Sequence, residues 1–231
     1  MADTGRRTRP SRASLRSALF TVAGELLERG GPESLQARTV AAAAGTSTQS
    51  LYTLFGGMPG LIQALAADGF VQLAAEVDAC ALSDDPVADH FSRGWAYYDW
   101  ALAHPQRYRL MFGLTGRALR PHAGLELTTG GAVANFPEGR AALDILLHSV
   151  QRVIEAGRIR PAESMAVAGQ VLSATHGAVL LQIGGAFGDT DDGLRVLAEA
   201  GINLFIGLGD APDAVRRSVE LAIARRRQSA P

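Results

Sequence analysis

The sequence predicts an all-α protein with two domains. Apolar residues recur at intervals of three and four along most of the chain, and no segment alternates convincingly as a half-buried strand would. Proline, glycine and aspartate mark the breaks between the periodic segments. A length of 231 residues accommodates a small domain and a larger one with its own core. We therefore expect a small helical N-terminal domain followed by a helical C-terminal domain.

The first helix is predicted by one apolar stripe with a clear stop. The stripe consists of Leu15, Leu19, Val22, Leu26 and Leu27. Gly30, Gly31 and Pro32 follow it directly, and this combination ends a helix.

The next two helices form a predicted helix-turn-helix. The first runs from about Leu35 to Ala44 and is ended by Gly45, since glycine takes a positive φ without a Cβ penalty. The second begins near Ser47, a good N-cap. Its inward apolar residues are Leu51, Leu54 and Phe55.

The outward face of that second helix is polar and uncharged. It holds Thr48, Gln49, Ser50, Tyr52 and Thr53. These groups suit base edges and phosphates, and no acidic residue lies between Ser34 and Leu65 to repel a duplex. Arg38, on the preceding helix, is the best candidate for a bidentate phosphate or guanine contact. A purely structural helical hairpin is the other interpretation of this pair.

These segments resemble the DNA-binding domain of the tetracycline-repressor (TetR) family over about residues 12–66. The resemblance rests on Ala23-Gly24-Glu25-Leu26-Leu27-Glu28-Arg29-Gly30, on Val40 to Gly45, and on Leu51-Tyr52-Thr53-Leu54-Phe55 with Leu61. It implies a flexible basic arm over residues 1–11, a three-helix helix-turn-helix DNA-binding domain over 12–66, and an all-helical ligand-binding and dimerisation domain over 67–231. The DNA-binding residues would be Arg38, Ser47, Thr48, Gln49, Ser50, Tyr52, Thr53 and Met58.

Two positions depart from the family pattern. Met58 stands where the family usually has a lysine that contacts phosphate, and Thr46 stands where an aliphatic residue is usual. Pro59 still suits the first turn of a fourth helix, whose free amides can bind a phosphate. The departures keep open an alternative, namely a dimeric small-molecule-binding protein with weakened or lost DNA affinity.

The charge distribution fits an N-terminal domain that is attracted to DNA and a C-terminal domain that is not. Residues 1–66 contain seven arginines and four acids, a net charge of +3, within a chain whose net charge is −1. The N-terminal arginines Arg6, Arg7, Arg9 and Arg12 form either a solvated tail or an arm that reaches a minor groove. The arginines at the other end, Arg225 to Arg227, are interpreted as a solvated helix end.

Seven further helices are predicted, separated by turn signals. They run from Pro59 to about Leu82, Pro86 to His104, Gln106 to Phe112, Pro137 to Ala156, Pro161 to Phe187, Asp191 to Leu208 and Pro212 to Arg227. The glycine-rich stretch from Leu114 to Phe136 is predicted to be a loop.

Aromatic residues concentrate in the fifth and sixth helices. Phe91, Trp95, Tyr98 and Leu102 share one helical face, which indicates either core packing or the lining of a ligand pocket. His176 is likewise either a hydrogen-bonded core residue or part of a pocket wall. His176-Gly177 resembles one TetR branch with a Trp-His-Gly signature, although Leu172 replaces the tryptophan. The candidate ligand-binding residues are Trp95, Tyr98, Phe112, Leu147, Gln151, His176 and Leu180.

Other functional classes lack the residues they need. We find no nucleophile elbow, no phosphate-binding glycine loop and no metal-ligand spacing, so we expect neither an enzyme nor a cofactor or metal site. Cys80 is the only cysteine and is expected in the core. We expect a cytoplasmic protein without a membrane partner, since no signal peptide and no uninterrupted apolar run of about 18 residues is evident.

The resemblance also implies a mechanism. Two copies would pair through their last long helices, where small residues such as Gly177 and Gly201 occur, into an isologous homodimer. The dimer would present two recognition helices to a palindromic double-stranded DNA operator. A small-molecule effector, apolar or aromatic, would shift the fourth helix and release a repressor from DNA.

Overall fold

The computed structural model describes residues 11–115, 137–188 and 191–229, and every regular element in these ranges is helical. The α-helices are α1 (Arg12–Gly30), α2 (Ala37–Ala43), α3 (Thr48–Phe55), α4 (Met58–Asp78), α5 (Pro86–Ala103), α6 (Pro105–Met111), α7 (Pro137–Glu155), α8 (Ser164–Ile183), α9 (Asp192–Gly207) and α10 (Pro212–Ser229). The all-α prediction is therefore confirmed. Most of the N-terminal arm and of the stretch from Leu114 to Phe136 lies outside the described residues.

Three predicted helices are too long at their ends. The first helix of the helix-turn-helix begins at Ala37 instead of Leu35, because a 3-10 turn at Pro32–Ser34 precedes it and Leu35 takes a non-helical ψ of 79°. α4 ends at Asp78 rather than Leu82. α8 begins after an extended N-cap residue, Glu163, and ends at Ile183, with Gly184 as its C-cap, rather than at Phe187.

The chain divides into two compact units. The first unit comprises the described residues 11–67 and 106–115, and the second comprises 68–105 with the described residues from 137 onward. α6 therefore groups with the N-terminal unit, although the sequence analysis assigned this segment to residues 67–231.

The first unit has a single hydrophobic core. Its fully buried side chains include Leu19, Leu27, Val40, Leu51, Leu61, Leu65 and Leu110. Leu110 belongs to α6, so this short helix completes the core of α1 to α4. Two ion pairs hold α6 in addition: Arg107 Nε lies 3.0 Å from Glu28 Oε1, and Arg109 Nη2 lies 3.6 Å from Glu33 Oε1.

The second unit is organised around α5, which packs against α7, α8, α9 and α10. Its N-terminus is capped by Asp85, whose carboxylate accepts hydrogen bonds from the amides of Val87 and Ala88. Farther along, the Phe91 ring lies 5.5 Å from Trp95 and 5.4 Å from Phe205 of α9, measured between ring centroids. The aromatic stripe of α5 is thus buried inside the second unit.

Two arginines at the end of α10 attach that helix to α5. Arg225 Nη1 donates to Asp89 Oδ1 at 2.9 Å, and Asp89 is only 1% exposed. The Arg226 guanidinium donates to both carboxylate oxygens of Asp99, at 2.8 and 2.9 Å. The interpretation of this run as a solvated helix end is therefore wrong for Arg225 and Arg226, because each meets an acid of α5 more than a hundred residues away in sequence.

α8 is unusually apolar for a helix of this length. It has a mean hydropathy of 1.3, and by length and composition alone it would cross a bilayer, while α3 and α4 pass the same test only together despite a 59° bend. Core helices of globular proteins meet this test too, so it is weak evidence for a membrane segment.

Candidate functional site

The turn between α2 and α3 has the geometry of a tight helical corner. Gly45 adopts a φ of +64°, and the amide of Thr46 donates to the Ala41 carbonyl at 2.9 Å. Ser47 caps α3, since its hydroxyl accepts from the amide of Ser50 at 3.4 Å. The predicted roles of Gly45 as helix terminator and of Ser47 as N-cap are confirmed.

Within the predicted reading surface, two hydroxyls besides that of Ser47 are already engaged inside the protein. Thr53 donates to the carbonyl of Gln49 at 2.9 Å, one turn earlier on α3. Ser50 accepts from the Thr46 hydroxyl at 2.9 Å, which explains how threonine fits where an aliphatic residue was expected. Gln49 and Tyr52 are exposed on α3, and contact of these two side chains with base edges stays a prediction.

Tyr52 is the most exposed large side chain of α3, with 60% of its surface accessible. Its ring lies over Gly57, because a Cβ built on that glycine would come within 2.9 Å of the tyrosine Cε1 atom. One edge of the phenol ring thus packs beside Gly57, while most of the side chain lies on the outer surface. Arg38 of α2 and Ser47 are exposed as well, and Thr48 is half-buried.

Two arginines of α1 support α3, and sequence reasoning missed their role. Arg12 Nη2 donates to the Thr53 carbonyl at 3.5 Å, and the Arg16 guanidinium lies 4.6 Å from the centre of the Phe55 ring. Arg12 was grouped with the N-terminal arm, whereas it begins α1. The spacing of four between these arginines, which places them on one helical face, was the available signal.

Met58 begins α4, as expected, but its side chain is half-buried against the core of the first unit. Pro59 follows in the first turn of the helix. Gly60, the residue after Pro59, lies so close to the Phe55 carbonyl oxygen that any Cβ on it would collide with that oxygen. This close approach sets the angle between the end of α3 and the start of α4.

In the second unit, Trp95 and Tyr98 are both 3% exposed and lie on one face of α5. A cavity of about 40 Å³ adjoins Trp95 between α5, α8 and α9, lined by His90, Phe91, Thr175, Gly201 and Phe205 among others. Such a volume holds roughly one water molecule, whereas ligand sites usually exceed 300 Å³. This cavity between α5, α8 and α9 is therefore too small for an aromatic ligand as it stands.

Polar groups of this interior pair across α5 and α8. The Tyr98 hydroxyl donates to Gln182 Oε1 at 3.2 Å, and burial raises the pKa of Tyr98. The Tyr97 hydroxyl lies 3.4 Å from His176 Nε2, and burial lowers the pKa of His176 to about 4. His176 is thus neutral at physiological pH and has one ring nitrogen in a polar contact.

The other candidate ligand residues lie apart from Trp95. Phe112 belongs to the first unit, with its ring 4.8 Å from Tyr108. Gln151 is exposed on α7 and bonds to Glu155 and Ser164, and Leu180 of α8 is 39% exposed. Leu147 is half-buried on α7. Ligand contact at these positions stays a prediction.

The pKa of Cys80 and the arrangement of possible metal ligands bear on the chemistry that the described residues can perform. Cys80 at the end of α4 has a raised pKa because it is partly buried, so its thiol stays protonated and poorly reactive. Among residues 11–115, 137–188 and 191–229 we find no group of three potential metal-binding side chains.

Two family profiles match the chain. The profile described as "Bacterial regulatory proteins, tetR family" matches residues 19–65, and that described as "Tetracyclin repressor-like, C-terminal domain" matches residues 92–205. No curated protein matches the sequence significantly.

Several solved structures share the fold. A protein of unknown function from Rhodococcus sp. RHA1 is 25% identical, with a TM-score of 0.67 over 89% of this chain and 100% of that chain. RolR in complex with resorcinol is 16% identical, with a TM-score of 0.59 over 95% of each chain. TylP, a TetR regulator from Streptomyces fradiae, is 14% identical, with a TM-score of 0.59 over 96% of this chain and 100% of that chain.

Proposed function

The chain belongs to the tetracycline-repressor (TetR) family of transcription regulators, and from this premise we propose that it is a repressor that binds a palindromic operator as a homodimer. A small apolar or aromatic molecule releases it from DNA. The family is one of ligand-responsive regulators with a helix-turn-helix DNA-binding domain. The repressor role, the dimer, the effector class and the boundaries of the two domains are our proposals for this protein.

The exposed surface of α2 and α3 is the observation that carries DNA binding. It presents Arg38, Gln49 and Tyr52 together, and no acid occurs between residues 34 and 65. Amide and phenol groups at the start and centre of a recognition helix suit base edges in a major groove, while an arginine suits phosphate.

Pairing through α8 and α9 is supported by an exposed apolar face. Leu181 of α8 is 52% exposed and Val196 of α9 is 49% exposed. On the same helices, a Cβ built on Gly169, Gly177 or Gly207 would meet no atom of the described residues within 4 Å. Glycine inside a helix costs about 1 kcal/mol relative to alanine, so an approaching partner helix gives a reason for these positions.

An aromatic or apolar effector is supported by the composition of the second unit. Trp95 and Phe91 supply aromatic surface, and the Tyr98 hydroxyl and the neutral His176 supply polar contacts for a ligand oxygen. RolR, which shares this fold, has been solved with the phenolic compound resorcinol. Since the cavity between α5, α8 and α9 is small, binding there requires it to widen, and we propose that this change is transmitted along α4.

A mobility-shift assay with DNA from the region upstream of the protein's own gene tests the proposal. We expect a specific complex at moderate salt that dissociates when the effector is added. Arg38→Ala should weaken the complex and reduce the slope of log K against log salt by about one.

The matched control is Arg29→Ala, at an exposed arginine that only pairs with Glu25 on the surface of α1, and it should leave both quantities unchanged. If palindromic fragments from the upstream region give no complex at low or moderate salt, the repressor assignment fails.

The half-buried position of Met58 favours one second candidate. Without a cationic side chain at the start of α4, the head has fewer phosphate contacts, which fits a dimeric small-molecule-binding protein with weakened or lost DNA affinity. Effector binding without DNA binding would identify this function.

A further inference from the structure

One turn of α5 contains three buried polar atoms that have no hydrogen-bond partner. Ser92 Oγ, Arg93 Nε and Trp95 Nε1 are the buried side-chain atoms of this kind among the described residues. A buried donor without an acceptor costs about 1 to 3 kcal/mol, so such groups are rare in native proteins. All three atoms can donate a hydrogen bond. Their clustering therefore indicates that an acceptor is missing from this part of the second unit.

A groove is lined by two of the residues that carry these donors, Ser92 and Trp95. It has a volume of about 790 Å³ and lies between the end of α4, α5 and the last turns of α10. Ser92 and Trp95 are three residues apart on α5 and line it together. Ligand sites for small molecules commonly have volumes of about 300 to 1,000 Å³, so the groove is large enough for an aromatic compound.

The walls of the groove are mainly small and apolar. Ala79, Ala96 and Ala222 line it, together with the indole of Trp95 and the protonated thiol of Cys80. Alanine side chains leave a flat space beside the indole, and a planar ring packs well on an aromatic neighbour.

Among the described residues that line the groove, one cation remains available to a ligand. Arg225 is bonded to Asp89, and Arg226 is bonded to both oxygens of Asp99, so these pairs largely neutralise each other. Arg227 also lines the groove and is exposed, as is Glu76, the other acid of the lining. The inner wall thus supplies donors and the outer part supplies a guanidinium.

We propose that this groove between α5 and α10 binds a small aromatic carboxylate. The carboxylate accepts hydrogen bonds from Trp95 Nε1 and Ser92 Oγ, the ring packs between the alanine walls and the indole, and the Arg227 charge favours the anion over a neutral analogue. The site is separate from the closed cavity between α5, α8 and α9, and it requires no bound DNA.

The indole N–H signals of the ¹⁵N-labelled full-length protein test this site directly. The chain has two tryptophans, so Trp95 reports on the groove while Trp100, which does not line it, is an internal reference. Benzoate is the probe, and benzyl alcohol is its neutral counterpart. We expect benzoate to move the Trp95 signal downfield in a saturable manner, with the Trp100 signal unchanged and the alcohol at least about tenfold weaker.

Three variants and one control variant locate the bound probe. Ala96→Leu fills the groove and should weaken benzoate at least about tenfold, whereas Ala141→Leu, at an exposed site on α7, should not change the affinity. Arg227→Gln should reduce the preference for benzoate over benzyl alcohol. Ser92→Ala removes a hydroxyl without a partner, so it should retain the fold and the melting temperature while it weakens benzoate severalfold.

Three results would overturn the proposal. One is an unchanged Trp95 signal at about 10 mM benzoate, a concentration that would largely fill a millimolar site. Another is a shift that persists in the Ala96→Leu variant, because the probe would then reach Trp95 from the inner cavity or from the groove between α9 and α10, which Trp95 also lines. The third is equal affinity for benzyl alcohol, which would exclude recognition of the carboxylate.

Discussion

His90 is buried at the centre of the second unit, where only 6% of its surface is exposed. Its Nδ1 atom lies 3.0 Å from the Ser149 hydroxyl, and burial lowers the pKa of His90 to about 4, with the Arg93 charge as a second cause. The folded protein therefore holds this imidazole neutral, while the unfolded chain protonates it near pH 6.5.

This difference predicts an acid-sensitive fold. Between about pH 6.5 and 4 the unfolded state binds a proton that the folded state does not, so the free energy of unfolding falls as the pH falls, by about 3 kcal/mol for His90. His176 contributes in the same direction.

Chemical denaturation at several pH values measures the effect. His90→Gln should flatten the pH dependence of the free energy of unfolding below pH 6.5. His148→Gln, at an exposed histidine of α7, should not change this dependence. Identical pH profiles for the His90→Gln variant and the wild type would contradict the assignment.

Met58 is the second residue with a direct prediction. Its side chain packs partly against the core of the first unit at the start of α4. We expect Met58→Lys to tighten operator binding, because the long lysine stem can follow the same surface and extend its ammonium toward phosphate. The slope of log K against log salt should steepen by about one, and equal slopes for both proteins would show that no phosphate lies there.

At the scale of elements, helix caps and periodicity predicted where helices occur, because these signals are local in sequence. Ser47, Gly45 and Asp85 act at the helix ends where their chemistry suggests. The partners of α6 were not predictable in this way. Leu110 enters a core formed by residues more than forty positions earlier, and nothing in the short segment itself indicates this.

The junction of α3 and α4 gives a prediction at this scale. Gly60 lies so close to the Phe55 carbonyl that a methyl group must force the two helices apart. Gly60→Ala should therefore lower operator affinity at least about tenfold by tilting the recognition helix, while the second unit stays folded.

Gly94→Ala on α5 is the matched control, since a Cβ there meets no described atom within 4 Å. That variant should gain up to about 1 kcal/mol in stability and keep its operator affinity. Wild-type affinity in Gly60→Ala, measured by mobility shift, would show that the junction tolerates the methyl group.

At the scale of the whole molecule, the exposed surfaces of α8 and α9 bear on the oligomeric state. The family resemblance predicted paired copies, and the structure adds which surfaces of one chain remain apolar and accessible. The sequence showed glycines on α8 and α9 but not their surroundings: Gly201 lies against Phe91 inside the unit, whereas Gly177 faces open space. Burial depends on contacts across the fold, so spacing alone did not separate the two.

Leu181→Asp tests the proposed dimer. A carboxylate at a position that is 52% exposed costs the single chain little, but it would be desolvated between two copies. We expect a monomer by light scattering and loss of operator binding, with the helical content retained. Val71→Asp, at a similarly exposed residue of α4, should remain dimeric, and a dimeric Leu181→Asp protein would place the interface elsewhere.

The membership of α6 in the first unit has a practical consequence for protein engineering. A transplant of residues 12–66 onto another regulator would leave behind Leu110 and the ionic partners of Glu28 and Glu33. The grafted head would then carry a hole in its core and lose two ion pairs on its surface. Hybrid regulators built from this protein should therefore exchange two stretches of chain, the N-terminal helices together with the segment around α6.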